Sequence, residues 1–207
     1  MTPGEFLYAP FQRPARPVRV LEIDPGTEGG LSLFVGARPE VLRAMPVIYV
    51  PGQGRPRRSK AGKMVAPRGH HEYDEPAFVQ LIKEMAPDVV FCEKEWAMNK
   101  GKGEWVQGVS SVFTFAQGYG TIRGVLAAMG VPTKYIPPQE WQKAIFMGLP
   151  DGDTKEQARW ALERRWPDVS FLATPRSKKP HTGICDAACL AYYGSLQIPP
   201  TAGGEIR

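Results

Sequence analysis

The sequence lacks any run of about 20 apolar residues, the length needed to span a bilayer. Its first residues also lack the basic and apolar blocks of a secretory signal peptide. We therefore expect a cytoplasmic protein with no membrane partner. The length of 207 residues and the hydrophobic fraction of 43% suit one α/β domain with a sizeable core.

Cysteine is scarce, which excludes a disulfide framework. The three cysteines, Cys92, Cys185 and Cys189, have no paired spacing and apolar neighbours, so we expect reduced, buried thiols. Helical spacing would align Cys185 and Cys189 with His181 one turn earlier. A structural zinc ion normally needs a fourth ligand, and none is evident here, so a zinc site is not expected.

Acidic residues are absent from residues 52–71. This segment holds six basic residues, namely Arg55, Arg57, Arg58, Lys60, Lys63 and Arg68. The net charge is +5, and without these six the remaining 20 basic residues face 21 acidic ones, so the excess charge belongs to this segment. A mobile basic loop suits binding to a phosphate backbone, where affinity comes from counterion release. The alternative is a solvated loop with no partner.

The order of apolar patterns predicts one α/β domain at residues 18–196, between a flexible arm at 1–17 and a tail at 197–207. Strands ending at Asp24, at 30–35 and at 45–50 are joined by short links, which predicts an antiparallel meander. A helix at 76–85 leads to a strand at 88–95, which can then lie parallel to the first. With a strand at 133–136 and helices at 112–129, 138–147, 154–166 and 184–196, the prediction is a mixed five-stranded sheet flanked by helices.

Asp24 ends the first strand and is followed by Pro25-Gly26, the residue pair of a type II turn. A tight turn leaves Asp24 at the edge of the sheet, where open α/β sheets place their ligand sites. Glu93 ends the next parallel strand, so we expect it at the same edge. Asp186 is the third candidate, because it is a charge in the first turn of an otherwise apolar helix starting at residue 184. For Asp24 alone, the alternative is a cap of the turn.

The helix at 112–129 carries small residues at four-residue spacing: Ala116, Gly120, Gly124 and Ala128. Glycine inside a helix costs about 1 kcal/mol relative to alanine. Two glycines on one face therefore indicate close approach of another backbone, which would belong either to the sheet or to a second subunit.

Three carboxylates at one site form an oxygen-rich, anionic pocket. Mg²⁺ and Mn²⁺ prefer such ligands, and a pair of these ions can activate water and neutralise the leaving oxygen of a phosphodiester. Combined with the basic loop, the pattern predicts metal-dependent phosphodiester hydrolysis with a two-metal site.

Three motifs, in order, resemble the RuvC-type Holliday junction resolvases in a phage-like version. They are Ile-Asp-Pro-Gly-Thr at 23–27, Phe-Cys-Glu at 91–93 and Cys-Asp-Ala-Ala at 185–188. The resemblance covers about residues 18–196 and implies an RNase H-like fold with Asp24, Glu93 and Asp186 as metal-binding catalytic carboxylates.

The same resemblance assigns DNA contacts. Lys143 and Lys155 match basic residues that contact phosphates or support the transition state. Trp96 lies where the family places an aromatic residue that stacks on bases opened at the junction; the alternative is a core or interface aromatic. Lys100 and Lys102, in the glycine-bearing segment 97–109, are assigned to DNA binding with the basic loop.

One position departs from the family pattern. The family usually has an acidic or histidine ligand three residues before the final Asp, and Gly183 stands there. His181 or Thr182 would have to replace it. We expect a sharp turn to bring His181 to the metal or the leaving group; the alternative is a histidine hydrogen-bonded within the loop.

Three other interpretations stay open. An actin-like nucleotide-binding fold would use Asp24 to Thr27 as a phosphate loop, but needs a second half that this chain is too short to provide. A non-catalytic DNA-binding module would use the basic loop and Trp96. An RNase H-like nuclease acting on other branched DNA or RNA–DNA hybrids is the nearest alternative.

The hypothesis is a homodimeric endonuclease, because symmetric nicks need two active sites.

Overall fold

The computed structural model describes residues 16–94 and 109–198, with the backbone alone at 109–111. The strands are β1 (Arg19–Asp24), β2 (Gly30–Val35), β3 (Arg38–Ala44), β4 (Val47–Val50), β5 (Arg57–Arg58), β6 (Met64–Val65), β7 (His70–Tyr73), β8 (Val89–Glu93) and β9 (Thr133–Ile136). The helices are α1 (Glu75–Met85), α2 (Val109–Ala128), α3 (Pro138–Ile145), α4 (Thr154–Arg165) and α5 (Thr182–Leu196).

The main sheet has five strands in the order β3-β2-β1-β8-β9. Strands β1, β2 and β3 are antiparallel neighbours, whereas β8 runs parallel to β1 and β9 runs parallel to β8. The predicted mixed five-stranded sheet, with its first three strands antiparallel, is therefore confirmed. Helix α1 makes the crossover that returns the chain to β8 beside β1, which brings the carboxyl ends of both strands to one edge.

The third strand of this sheet is β3. A strand does occur within the predicted range 45–50, at Val47–Val50, but its predicted place in this sheet was wrong. A tight turn at Gly36, which has a φ of 64°, folds β3 back on β2. Strand β3 is at the edge of the sheet and carries Pro39 and exposed charged residues, so its sequence lacks the apolar alternation of a buried strand. Residues 47–50 instead form β4, which pairs with β7 in a separate two-stranded sheet.

The basic segment is a β-ribbon, whereas the sequence predicted a loop. Strands β4 and β7 form its base, and β5 pairs with β6 toward its tip. All six of its basic residues are exposed. We call residues 47–73 the basic ribbon.

The core lies in two layers, one on each face of the main sheet. Leu21 and Ile23 of β1 pack with the buried residues of α1 and α2, while Val20 packs with those of α4 and α5 on the other face. Asp74 caps α1 by accepting a hydrogen bond from the Ala77 N–H, and Asp153 caps α4 by accepting from the N–H groups of Lys155 and Glu156. Within the described parts of the chain, none of the helices is both long and apolar enough to cross a membrane.

The glycine stripe of α2 does not touch the sheet. A Cβ atom added to Gly120 or Gly124 would meet no atom within 4 Å among the described residues. The interpretation that the sheet approaches this stripe was therefore wrong, and a second subunit is the remaining candidate. The close contact of α2 lies at Gly118 instead, where an added Cβ atom would meet the Tyr73 ring at 2.0 Å.

Candidate active site

Asp24 and Glu93 end neighbouring parallel strands, as predicted. The pairing of β1 with β8 reaches Ile23 and Cys92, so the next residues on each strand are the two carboxylates. Gly26 has a φ of 129°, which explains why the turn after Asp24 requires glycine. The backbone N–H of Gly26 donates to the Tyr73 hydroxyl at 2.6 Å, so the base of the basic ribbon holds this turn in place.

Asp186 reaches the site from α5. The helix begins at Thr182, two residues before the predicted start, so Asp186 lies in the second turn and the predicted first-turn position was wrong. Its side chain is largely buried, and burial raises the pKa of the carboxyl although the ion pair with Lys155 acts to lower it.

Lys155 joins the carboxylates from the first turn of α4. Its Nζ atom donates a hydrogen bond to Oδ2 of Asp186. Burial acts to lower the pKa of Lys155, but the hydrogen bond and the charge of Asp186 outweigh it. The charges of Asp24 and Glu93 act in the same direction, so the pKa is raised. The ammonium group of Lys155 is thus within electrostatic range of all three predicted carboxylates, and only Asp186 is paired with it directly.

Trp141 is a site residue that the sequence did not reveal. It belongs to α3 and is buried, and its indole Nε1–H donates to Oε2 of Glu93 at 2.8 Å. The signal was a tryptophan in a short helix, because a buried indole N–H usually needs an acceptor. The hydrogen bond fixes the direction in which the Glu93 carboxylate points.

Glu22 is the second residue that was missed. It lies two residues before Asp24 on β1, on the same face of the strand, and is fully buried. Burial raises its pKa well above the usual value, and the charges of Asp24, Glu93 and Asp186 add to the shift. The signal was a glutamate at an inward position of a strand that is otherwise apolar.

His181 is the N-cap of α5. Its Nδ1 accepts a hydrogen bond from the Ile184 N–H at 3.3 Å, so a metal contact would have to come from Nε2. Its role as a ligand stays a prediction, as does any role of the exposed Thr182. Gly183 cannot carry a ligand, because an added Cβ atom would meet the Glu28 carbonyl oxygen at 2.3 Å.

The other predicted DNA contacts are distributed as follows. Lys143 is exposed in the last turn of α3. The exposed side chains of Arg55, Arg57, Arg58, Lys60 and Lys63 all belong to the basic ribbon. Trp96, Lys100 and Lys102 lie outside the described residues.

The donor set suits a hard divalent cation, because it consists of carboxylates, one of them a buried glutamate with orphaned oxygens. Within residues 16–94 and 109–198, no three His, Cys, Asp or Glu side chains stand close enough together to hold an ion. Metal binding would therefore require the carboxylates to converge and Lys155 to turn away from Asp186. The lysine has room to do so, since 54% of its side chain is exposed.

The three cysteines are buried and free, as predicted. Burial, with a further contribution from the Asp186 charge, raises the pKa of Cys185 to about 12. Burial also raises the pKa of Cys189 well above its usual value. Both thiols are therefore protonated at neutral pH and pack as small apolar side chains.

No protein-family model matches the sequence, and no curated protein sequence matches it. Among solved structures, the chain is similar to RuvC of Thermus thermophilus, with 13% identity, a TM-score of 0.49 and coverage of 87% of this chain and 97% of that one. It is also similar to T. thermophilus RuvC in complex with Holliday junction substrate, with 16% identity, a TM-score of 0.47 and coverage of 87% and 96%. The yeast mitochondrial Holliday junction resolvase Ydc2 has 12% identity, a TM-score of 0.41 and coverage of 89% and 82%.

Proposed function

We propose that the chain is a divalent-metal-dependent endonuclease with an RNase H-like fold, which resolves four-way DNA junctions by hydrolysing phosphodiester bonds. The observation that carries this proposal is that Asp24 and Glu93 end two neighbouring parallel strands, while Asp186 pairs with Lys155, whose pKa is raised by the charges of all three carboxylates. Each carboxylate comes from one of the three motifs that resemble the junction resolvases.

Asp24, Glu93 and Asp186 would hold Mg²⁺ or Mn²⁺, which supplies an activated water and stabilises the leaving oxygen. The surrounding residues prepare these ligands. Trp141 orients Glu93, and Tyr73 holds the turn after Asp24. A hydrogen bond that fixes a ligand in this way commonly changes metal affinity or activity by about 10–100-fold.

Lys155 has a second part in the proposal. In the metal-free arrangement its ammonium group neutralises Asp186 and the charges around it. When DNA binds, the same group can turn to a phosphate oxygen and leave Asp186 to the cation. The lysine then contributes a positive charge where negative charge develops during hydrolysis.

The charge of the surface and the symmetry of a dimer fit this substrate. The exposed basic ribbon is suited to bind phosphates over more than one strand, and its base is bound to the turn that carries Asp24. Paired nicks on opposing strands require two active sites, which a two-fold homodimer provides.

The test is a cleavage assay on an immobile four-way junction, a matching duplex, a Y-fork and an RNA–DNA hybrid, with Mg²⁺, Mn²⁺ or a chelator. We expect paired, metal-dependent nicks on the junction. Asp24→Asn should abolish cleavage and keep or tighten DNA binding, because it removes a metal ligand and a repulsive charge. Asp186→Asn should likewise be inactive.

Three results would contradict the proposal in different ways. Cleavage by Asp24→Asn at the wild-type rate would remove the site assignment. Binding without cleavage by the wild type would indicate a DNA-binding module. Preferential cutting of the hybrid or the fork would keep the active site and change the substrate.

A further inference from the structure

Glu22 is a buried carboxyl group without a hydrogen-bond partner. Its side chain has a relative exposure of 0%, and neither carboxyl oxygen has a hydrogen bond of normal geometry to a described residue. The backbone N–H of Ile23 acts to lower the pKa of the carboxyl, but it is the smallest influence and burial outweighs it. Buried polar atoms in native proteins nearly always have a partner, and an orphaned one costs about 1–3 kcal/mol. The core of β1 could hold an apolar residue here, so this carboxyl group requires an explanation.

The position of Glu22 connects it to the active site. Strand geometry puts Glu22 and Asp24 on the same face of β1, the face that α5 covers. Among the charges that act on Glu22, those of Asp24, Glu93 and Asp186 are the largest. Glu22 is therefore a buried carboxyl group on the strand face of Asp24, within electrostatic range of Asp24, Glu93 and Asp186.

The resemblance also leads one to expect a fourth ligand at the start of α5. The position three residues before Asp186 is Gly183, where the resemblance leads one to expect an acidic or histidine ligand. No side chain fits there, because a Cβ atom would lie 2.3 Å from the Glu28 carbonyl oxygen and 2.4 Å from the Gly29 carbonyl carbon. The close packing of α5 on the β1–β2 turn thus excludes the usual place for a fourth ligand.

We propose that Glu22 is the fourth carboxylate that holds the divalent cation, in place of the side chain that Gly183 lacks. This inference rests on the proposed function. It explains why an unpartnered carboxyl group stands two residues before Asp24, since a bound cation would satisfy its oxygens. It also explains how the site can do without an acidic residue at the start of α5.

The test measures ion binding rather than cleavage. Tb³⁺ is a hard, oxygen-seeking ion, and Trp141 is suited to sensitise its luminescence because the indole donates to Glu93. Titrations of the full chain, with displacement by Mg²⁺, compare the wild type with Glu22→Gln, which keeps the shape and removes the charge. Glu28→Gln is the matched control, an exposed acidic residue close to Glu22 in sequence. Asp24→Asn reports on the site itself.

We expect Glu22→Gln to weaken Tb³⁺ binding at least about 10-fold, the range found for groups that support a metal site. Glu28→Gln should bind as the wild type does. Glu22→Asp keeps the charge on a shorter side chain and should weaken binding by a smaller factor. It provides a second folded variant if Glu22→Gln does not give a native circular dichroism spectrum.

The outcomes separate the two proposals. The role of Glu22 would be overturned, and the proposed function would stand, if Glu22→Gln bound Tb³⁺ with wild-type affinity while Asp24→Asn bound it weakly. If only Glu22→Asp folds, the same comparison is made with that variant. Wild-type affinity in Asp24→Asn as well would overturn both.

Discussion

Gly183 lies where the first turn of α5 meets the turn between β1 and β2. The contact is mutual, because a Cβ atom on Gly30 would lie 2.7 Å from the Gly183 carbonyl oxygen. Two glycines therefore let two backbones touch, and this contact sets the depth at which α5 carries Asp186 into the site. Neither glycine has a positive φ in the left-handed region, so the requirement comes from space and not from backbone conformation.

Gly183→Ala should destabilise the protein by about 1–3 kcal/mol, the usual cost of overpacking. For a chain of this size, each 1 kcal/mol lowers the melting temperature by about 2–4 °C. Thermal unfolding followed by circular dichroism measures the change. Thr182→Ala, an exposed position in the same turn, is the control and should change stability by less than about 0.5 kcal/mol. A melting temperature for Gly183→Ala equal to that of the control would contradict the packing argument.

The sequence predicted Asp24, Glu93 and Asp186 because each is a charge at the end of an apolar element, and that pattern is local. Glu22 and Trp141 were not predicted, since their roles depend on which residues stand opposite them. A glutamate inside a strand is compatible with a solvated face until the sheet is known to be covered on both sides. A tryptophan donor likewise gains its acceptor only when α3 packs over β8.

At the scale of elements, the basic ribbon illustrates the same limit. Strands β5, β6 and β7 have only two to four residues each, too few for a period of two to mark them in the sequence, and the glycines and prolines lie in the connections between them. Pairing between β4 and β7 joins residues 20 to 26 positions apart, and such contacts leave no local trace. The charge of the segment was predictable, whereas its shape was not.

Removing the charge of the basic ribbon should weaken DNA binding without affecting the metal site. Replacing Arg55, Arg57, Arg58, Lys60, Lys63 and Arg68 with glutamine should flatten the plot of log K against log salt by about 0.9 for each phosphate that the ribbon no longer neutralises. Electrophoretic or fluorescence titrations on a junction at several salt concentrations give the slope. Tb³⁺ affinity should stay at the wild-type value.

The control for this experiment replaces exposed basic residues elsewhere, Lys83 of α1 and Arg164 of α4, with glutamine. If the ribbon binds phosphates, these changes alter the slope little. An equal decrease in slope per charge in both variants would mean that DNA responds to the net charge of the molecule and not to the ribbon.

At the scale of the whole molecule, α2 presents an unusual surface. One face packs on the sheet through Ile122 and Leu126, while the stripe containing Gly120 and Gly124 is exposed and smooth. Phe113, at the beginning of this helix, is 68% exposed. Glycine lowers helix stability, and no contact in the described part of the chain compensates for it here. A second copy of the chain, packed closely against this stripe, would explain why glycines stand there.

Substitution of the stripe should therefore separate a dimer into monomers. Gly120→Leu and Gly124→Leu each add a bulky side chain to the surface on which the second chain would pack. Because leucine favours helix, the monomer should retain its fold. Light scattering should give the mass of two chains for the wild type and of one chain for each variant. Gly120→Ala, which adds a single methyl group, should perturb the dimer less.

The paired nicks should become single nicks in the leucine variants, since each monomer has one active site. If the wild type and both leucine variants have the same mass, this stripe is not the dimer interface.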